Sequence, residues 1–384
     1  MNMSEQIPVR CVLMRGGTSK GVFLRSGDLP PDPTARDRLL LALFGSPDPR
    51  QIDGLGGADI LTSKAAVMGP PTRPDADIDY TFGQVSITEP VVDYDINCGN
   101  LSAAAGVYAV EEGFVHPTDP VTRVRVHNTN TGKVFVAHVP TRGGAPLVEG
   151  DCTIDGVPGT GAEILLDYAG TAGAATGALL PTGRTRDALR VPDLGVVDVT
   201  IVDLANLCVF FPASAVGMAG TEGPRELTPR MMNAMVAVKE TTAAHLGLAV
   251  DGLIPLPVAV AAPVTHTTFL GTTVEAGAVD LLARLVGGRP PMLHKAFPGT
   301  AAACTAVAAM LPGSVPAAIA RRRSPGRCVI GHPSGEMSVL AEVREDAGGF
   351  RVECAAYTRT ARRLLEGQAF VRTAALEPVA TGAR

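Results

Sequence analysis

Along most of the chain, apolar and polar positions alternate over short stretches, the period of half-buried β-strands. Runs of this kind are Pro8–Leu13, Val22–Leu24, Asp77–Ile87, Val121–Val126, Lys133–Val139, Val196–Val202, Cys208–Phe211, Cys328–Ile330 and Met337–Val343. Each is bounded by Gly, Pro, Asp or Asn. Helical spacing is rarer. Thr34–Phe44 predicts a helix capped by its Thr, Arg225–Leu246 predicts one or two helices, and Glu275–Val286 predicts a third amphipathic helix. Two segments have no polar face. Gly99–Glu112 (GNLSAAAGVYAVEE) and Gly299–Leu311 (GTAAACTAVAAML) predict small-residue helices, apolar almost all round, of the kind buried inside a core.

These two segments match each other 200 positions apart: Gly99 falls on Gly299, Ala103 on Ala303, Ala109 on Ala309, Gly113 on Gly313 and Val115 on Val315. A weaker echo places Gly21-Val22-Phe23 on Cys208-Val209-Phe210 at an offset of 187. Two echoes in the same order predict a duplication. The expected architecture is α+β, with two similar β-rich lobes, each wrapped around a buried central helix, and an active-site cleft between them. The expected boundaries are residues 1–184, 185–371 and a flexible tail at 372–384, the division lying in the Pro- and Gly-rich stretch Pro181–Pro192. Both central helices would point their N-termini, with free N–H groups and a partial positive charge, toward anionic ligands.

Composition narrows the classes. With 46% apolar residues and 18% charged ones, the 384-residue chain has material for a core, and global disorder is excluded. A net charge of −5 and the absence of Trp argue against nucleic acid as a partner. The 43 Gly and 31 Pro show no period, so they mark turns rather than collagen. Seven widely spaced cysteines without a CxxC pair suggest neither a disulfide framework nor a structural zinc site. No signal-like N-terminus or membrane-length apolar run is present, and the reading is a cytoplasmic protein with reduced thiols.

Five turn-like segments carry the candidate chemistry. Asn97-Cys98-Gly99-Asn100 opens the first buried helix; a cysteine there has its thiolate favoured by the helix N-terminus, or is a small packed thiol at a tight turn. Ile52–Met68 runs from a Gly-rich turn through Thr62-Ser63-Lys64 into an apolar strand. Lys64 is one of only five lysines against 28 arginines. It reads either as a surface residue starting a strand or as a partly desolvated acid/base group. Arg15–Gly21, with Gly17, Thr18, Ser19 and Lys20, offers backbone and hydroxyl donors to a carboxylate, or is a plain turn. His294, Lys295 and Thr300 precede or open the second small-residue helix. His332–Glu336, with Ser334, forms a polar turn after a strand. No metal-ligand pattern and no Rossmann, Walker or nucleophile-elbow motif occurs. Arg321-Arg322-Arg323 reads as a solvated loop.

Taken together, MRGGTSKG at 14–21, GSPD at 45–48, IDGLGGADILTSK at 52–64, NCGN at 97–100, the 294–300 segment and HPSGEM at 332–337 resemble the PrpF family over nearly the whole chain. The resemblance implies a diaminopimelate-epimerase-like fold and a cofactor-independent isomerase of unsaturated di- and tricarboxylates. It also implies proton transfer by the lysine after Thr-Ser and the cysteine before Gly-Asn, here Lys64 and Cys98. Substrate contacts are then expected from Gly17, Thr18, Ser19, Lys20, Gly57, Thr62, Ser63, Gly99, Asn100, His294, Lys295, Thr300 and Ser334, with no metal and no cofactor. The tautomerase of 4-oxalomesaconate is the first expectation. Isomerisation of 2-methylaconitate or an aconitate-type acid, or an accessory role beside a hydratase, is the alternative. Amino-acid epimerisation is disfavoured, because Pro298 stands where a second catalytic cysteine would be needed and Cys304 lies inside the helix. The expected partner is a small polycarboxylate, with no membrane and with a homodimer left open.

Overall fold

The computed structural model describes residues 5–94, 98–288, 291–321 and 324–376. Asn97 of the NCGN motif, Arg322, Arg323 and the last eight residues of the tail lie outside the described residues. The fold is α+β, mostly strands with few helices. The chain divides into two compact units, Met1–Leu166 with Arg359–Arg384, and Asp167–Thr358.

The first unit runs β1 (Gln6–Gly16), β2 (Ser19–Arg25), α1 (Pro33–Phe44), β3 (Lys64–Gly69), β4 (Ile78–Val85), β5 (Val92–Asp93), α2 (Gly99–Glu111), β6 (Val121–Asn128), β7 (Lys133–Arg142), β8 (Ala145–Pro146) and β9 (Ile164–Asp167). Neighbours alternate in sense: β1–β2 antiparallel, β2–β3 parallel, β3–β4 antiparallel, β4–β6 parallel, β6–β7 antiparallel. Parallel neighbours need long crossovers, and α1 and α2 lie in them. α1 begins at Asp32, whose carboxylate accepts from Ala35 N–H at 2.8 Å, with Pro33 at its first turn. The cap is therefore Asp32, not Thr34. α2 buries every residue from Leu101 to Val110. Strands β1, β2, β6 and β7 pack around it. That closeness selects small residues: a Cβ at Gly106 would press into Ala137 and Val139 of β7.

The second unit runs β10 (Asp187–Val191), β11 (Gly195–Leu204), β12 (Asn206–Pro212), α3 (Pro229–His245), β13 (Leu256–Ala261), β14 (His266–Thr267), β15 (Thr273–Val274), β16 (Leu281–Gly287), β17 (Met292–Leu293), α4 (Gly299–Met310), α5 (Val315–Ile319), β18 (Arg327–His332), β19 (Gly335–Asp346) and β20 (Gly349–Arg359). Its pairings repeat the first unit's order: β11–β12 antiparallel, β12–β13 parallel, β13–β16 antiparallel, β16–β18 parallel, β18–β19 antiparallel. α3 and α4 occupy the two crossovers, and α4 is buried on all sides like α2.

Three expectations need correction. The division falls before Asp167, so Pro181–Pro192 lies inside the second unit. Residues 359–372 return to the first unit, because β21 (Ala361–Arg372) pairs antiparallel along the whole of β1. Within the stretch expected as a tail, Thr373–Leu376 form a 3-10 turn. Glu275–Val286 is not a helix: its apolar half, Leu281–Gly287, is β16, buried between β13 and β18. A short run buried on both faces has no period to separate strand from helix. Among the described residues no helix is long and apolar enough to cross a membrane.

Candidate active site

The first unit gathers Lys64 and Cys98 around strand β2. Lys64 opens β3 and is 6% exposed. Antiparallel register sets it opposite Gln84 on β4, and its Nζ donates to Gln84 Oε1 at 2.7 Å. Nζ also stands 5.1 Å from the centroid of the Phe82 ring, within cation–π range. The Gln84 amide donates to Ser63 O at 2.8 Å and Ile60 O at 3.2 Å.

Cys98 is the N-cap residue of α2 and is 9% exposed. Its Sγ is 3.9 Å from Ser19 Oγ, the first residue of β2. Two positions on, Asn100 is held from both sides: its Nδ2 donates to Thr18 Oγ1 at 2.9 Å, and its Oδ1 accepts from Arg359 Nε at 3.0 Å. The β1–β2 turn must be glycine at position 17. Gly17 has φ of 51°, and a Cβ there would overlap the Asn100 carboxamide. The Gly17 N–H donates to Thr360 O at 2.9 Å, so it is engaged within the unit. Lys20 N–H donates to Leu61 O at 2.9 Å, which ties the turn to the loop before Lys64.

That loop is shaped by a residue the sequence reading passed over. Gln51 is buried, in the left-handed region at φ 45°. Its Nε2 donates to Ser63 Oγ at 2.7 Å and Ser46 Oγ at 3.0 Å, and its Oε1 accepts from Ala58 N–H at 2.8 Å. Gly56 packs against this side chain too closely for a Cβ, and Gly57 packs against Thr62 in the same way. Ser63 is fully buried and donates to Val85 O at 2.8 Å, so its hydroxyl holds the loop. Thr62 Oγ1 donates to Asp59 O at 3.2 Å.

The remaining candidates belong to the second unit. Pro298 is the N-cap residue of α4, the position Cys98 holds on α2. Gly99 and Gly299 both open their helices and are buried. Thr300 Oγ1 accepts from Asn206 Nδ2 at 2.6 Å, a strand-to-helix tie of the same kind as Thr18 with Asn100. His294 and Lys295 are exposed, and His294 Nδ1 lies 2.9 Å from Ala296 O. Ser334 Oγ lies 3.2 Å from His332 Nδ1.

Arg284 also escaped notice, as an arginine in the apolar run LLARLVG. It is fully buried, donates from Nε to Glu222 O at 2.7 Å, and leaves one guanidinium nitrogen without a hydrogen-bond partner among the described residues. Burial pushes its pKa down to about 10, opposed by Glu222 and Glu226. Among the described residues no group of three His, Cys, Asp or Glu side chains could hold a metal ion.

The chain matches the family model described as PrpF protein over residues 6–372. It is 46% identical to the 3-methylitaconate isomerase of Eubacterium barkeri, over 97% of this chain and 100% of that one. It is 41% identical to the (4E)-oxalomesaconate Delta-isomerase of Novosphingobium sp. (strain KA1), over 94% of this chain and 97% of that one. Among solved structures, a methylitaconate-delta-isomerase superposes with a TM-score of 0.88 at 45% identity, covering 99% of this chain and 100% of that one. A hydroxyproline epimerase from Agrobacterium vitis shares the fold at 11% identity, with a TM-score of 0.54 over 97% of this chain and 94% of that one.

Proposed function

The chain belongs to the PrpF family and is an isomerase, and from that premise we propose that it moves a carbon–carbon double bond within an unsaturated di- or tricarboxylate by proton transfer. The observation that carries the reading is the buried Lys64 amine, held on a neutral acceptor beside an aromatic ring. Such an amine is placed to accept and return a proton, the task of a general acid–base group.

Lys64 takes a proton from the saturated carbon beside a carboxylate or enone. The C–H electron pair moves into the conjugated system and leaves an enolate. Protonation at a different carbon of that system places the double bond in its new position. Cys98 at the start of α2 is the partner of Lys64 in this exchange, donating to or orienting the anion, and the first turn of α2 supplies fixed dipoles for the enolate oxygen. Thr18, Ser19, Lys20 and Asn100, on the β1–β2 turn and the helix start, are the carboxylate contacts this unit offers.

The substrate panel is 3-methylitaconate, 4-oxalomesaconate and 2-methylaconitate. The 46% identity to a 3-methylitaconate isomerase against 41% to an oxalomesaconate isomerase supports testing the first acid first, while 4-oxalomesaconate, the first expectation from the sequence, stays in the panel. The test is proton exchange in heavy water followed by NMR. Deuterium entering the allylic carbon together with migration of the double bond is the expected result. Binding of these acids with neither exchange nor migration would leave the accessory reading in its place.

A further inference from the structure

We propose that Gln84 is a positioning residue for Lys64, a neutral acceptor that keeps the amine aimed in both of its protonation states. The inference rests on the assignment of Lys64 as the proton-transfer group.

The orientation of the Gln84 amide follows from its surroundings. Its NH2 group faces two backbone carbonyls, Ser63 O at 2.8 Å and Ile60 O at 3.2 Å. Turning the amide over would set its oxygen against both carbonyls, so Oε1 must face Lys64. Gln84 is 8% exposed and Lys64 6%, so little water competes for the pair. Both carbonyls belong to the segment leading into Lys64. The bond therefore joins the lysine to its own loop through β4, and Gln51 fixes the same loop through Ser63.

The choice of an amide has a chemical consequence. An ammonium and a neutral amine can both donate N–H to a carbonyl, so the contact survives loss of the proton and sets the direction of the lone pair. A carboxylate at the same place would favour the ammonium and hold the proton on nitrogen. The charged side chains on the strands around Lys64 are Lys20 and Arg25 on β2, Asp79 on β4 and Asp93 on β5, opposite Gln84, with Asp59 five positions earlier in the preceding loop. Among the described residues none of them forms an ion pair with Nζ.

The second unit provides a contrast. Counting along its strands from Val209, the match of Val22, the places of Lys64 and Gln84 are taken by Leu256 and Gly287. The duplicated frame therefore stands without either residue, and the two occur together only where the chemistry is assigned.

The experiment compares wild type with Gln84→Glu and Gln84→Met in the full chain. Two quantities are read: the pH dependence of Lys64 acetylation by trace acetic anhydride, followed by peptide mass spectrometry, and the pH profile of kcat on the substrate panel. In Gln84→Glu the acetylation midpoint should move up by about 1–3 pH units, with the acid limb of kcat following it. Gln84→Met should lose about 10–100-fold in kcat with KM changed less than threefold, the pattern of a misaimed acid–base group. An unmoved acetylation midpoint in folded Gln84→Glu overturns the inference. So does wild-type kcat in Gln84→Met, which covers the case of a Glu variant that does not fold. A shifted midpoint with no turnover of any acid by wild type would instead retain Gln84 as positioning residue and remove the proposed reaction.

Discussion

Glu112 closes α2 at the end opposite Cys98, and replacing it by Gln tests what holds that helix in place. Its side chain is 4% exposed and meets three guanidinium groups: Arg10 at 3.0 Å, Arg25 at 2.6 Å and Arg363 at 2.8 Å. Two effects oppose its charge. Burial penalises it, and a carboxylate at a helix C-terminus faces the negative end of the dipole, worth about 0.3–1 kcal/mol. The arginines outweigh both and hold the carboxyl at about 2, against an ordinary value of 4.5. A displacement of that size corresponds to roughly 3 kcal/mol at neutral pH, at ~1.4 kcal/mol per unit. Because Arg10 and Arg25 are 37% and 40% exposed, solvent screening trims the expected loss in Glu112→Gln to about 2 kcal/mol. For a unit of this size that lowers the melting temperature by roughly 4–8 °C. The carboxyl is depressed in the folded state, so its contribution is complete above about 4.5 and fades as pH falls toward about 2. Thermal unfolding of both proteins between pH 7 and pH 2.5 is the assay. A gap that stays constant down to pH 2.5, or stays below 1 °C at pH 7, would refute the reasoning.

Lys64→Met is expected to lose at least 100-fold in isomerisation with circular dichroism unchanged; a residual rate above roughly a tenth of wild type would remove Lys64 from proton transfer. Cys98→Ala should lose activity and Cys98→Ser should keep a part of it, measured as kcat on the substrate that turns over. Iodoacetamide at neutral pH should label Cys98 ahead of the other thiols, with protection by bound polycarboxylate. Cys304 should stay unlabelled because it is fully buried, and Cys354 should lag because burial, with Asp167 and Glu342, pushes its pKa up to about 11. Peptide mapping led by Cys152 with activity retained would contradict this. Gly17→Ala should cost about 1–3 kcal/mol in denaturant unfolding, since it strains a left-handed turn and displaces Asn100, and an unchanged midpoint would show that the turn relaxes freely.

What the sequence by itself determined is what neighbouring residues decide together. The small-residue stretches at 99 and 299 are helices because the residues that fit a crowded core are present in unbroken order. The alternating runs from Pro8–Leu13 to Met337–Val343 lie in strands because their period needs no distant partner to be read. Lys64 and Cys98 stood out through motifs contiguous in the chain. Tertiary structure decided the rest. Leu281–Gly287 became a strand through burial between β13 and β18, where periodicity carries no signal. The return of β21 to β1 joins residues more than 340 positions apart, and no local preference specifies such a partner. Gln84 meets Lys64 only because two strands pair in one register, and a shift of one residue would turn its side chain to the other face. Gln51 and Arg284 are ordinary letters in the sequence. What sets them apart is burial, a property of the folded chain that leaves each polar atom with few partners and makes each bond count.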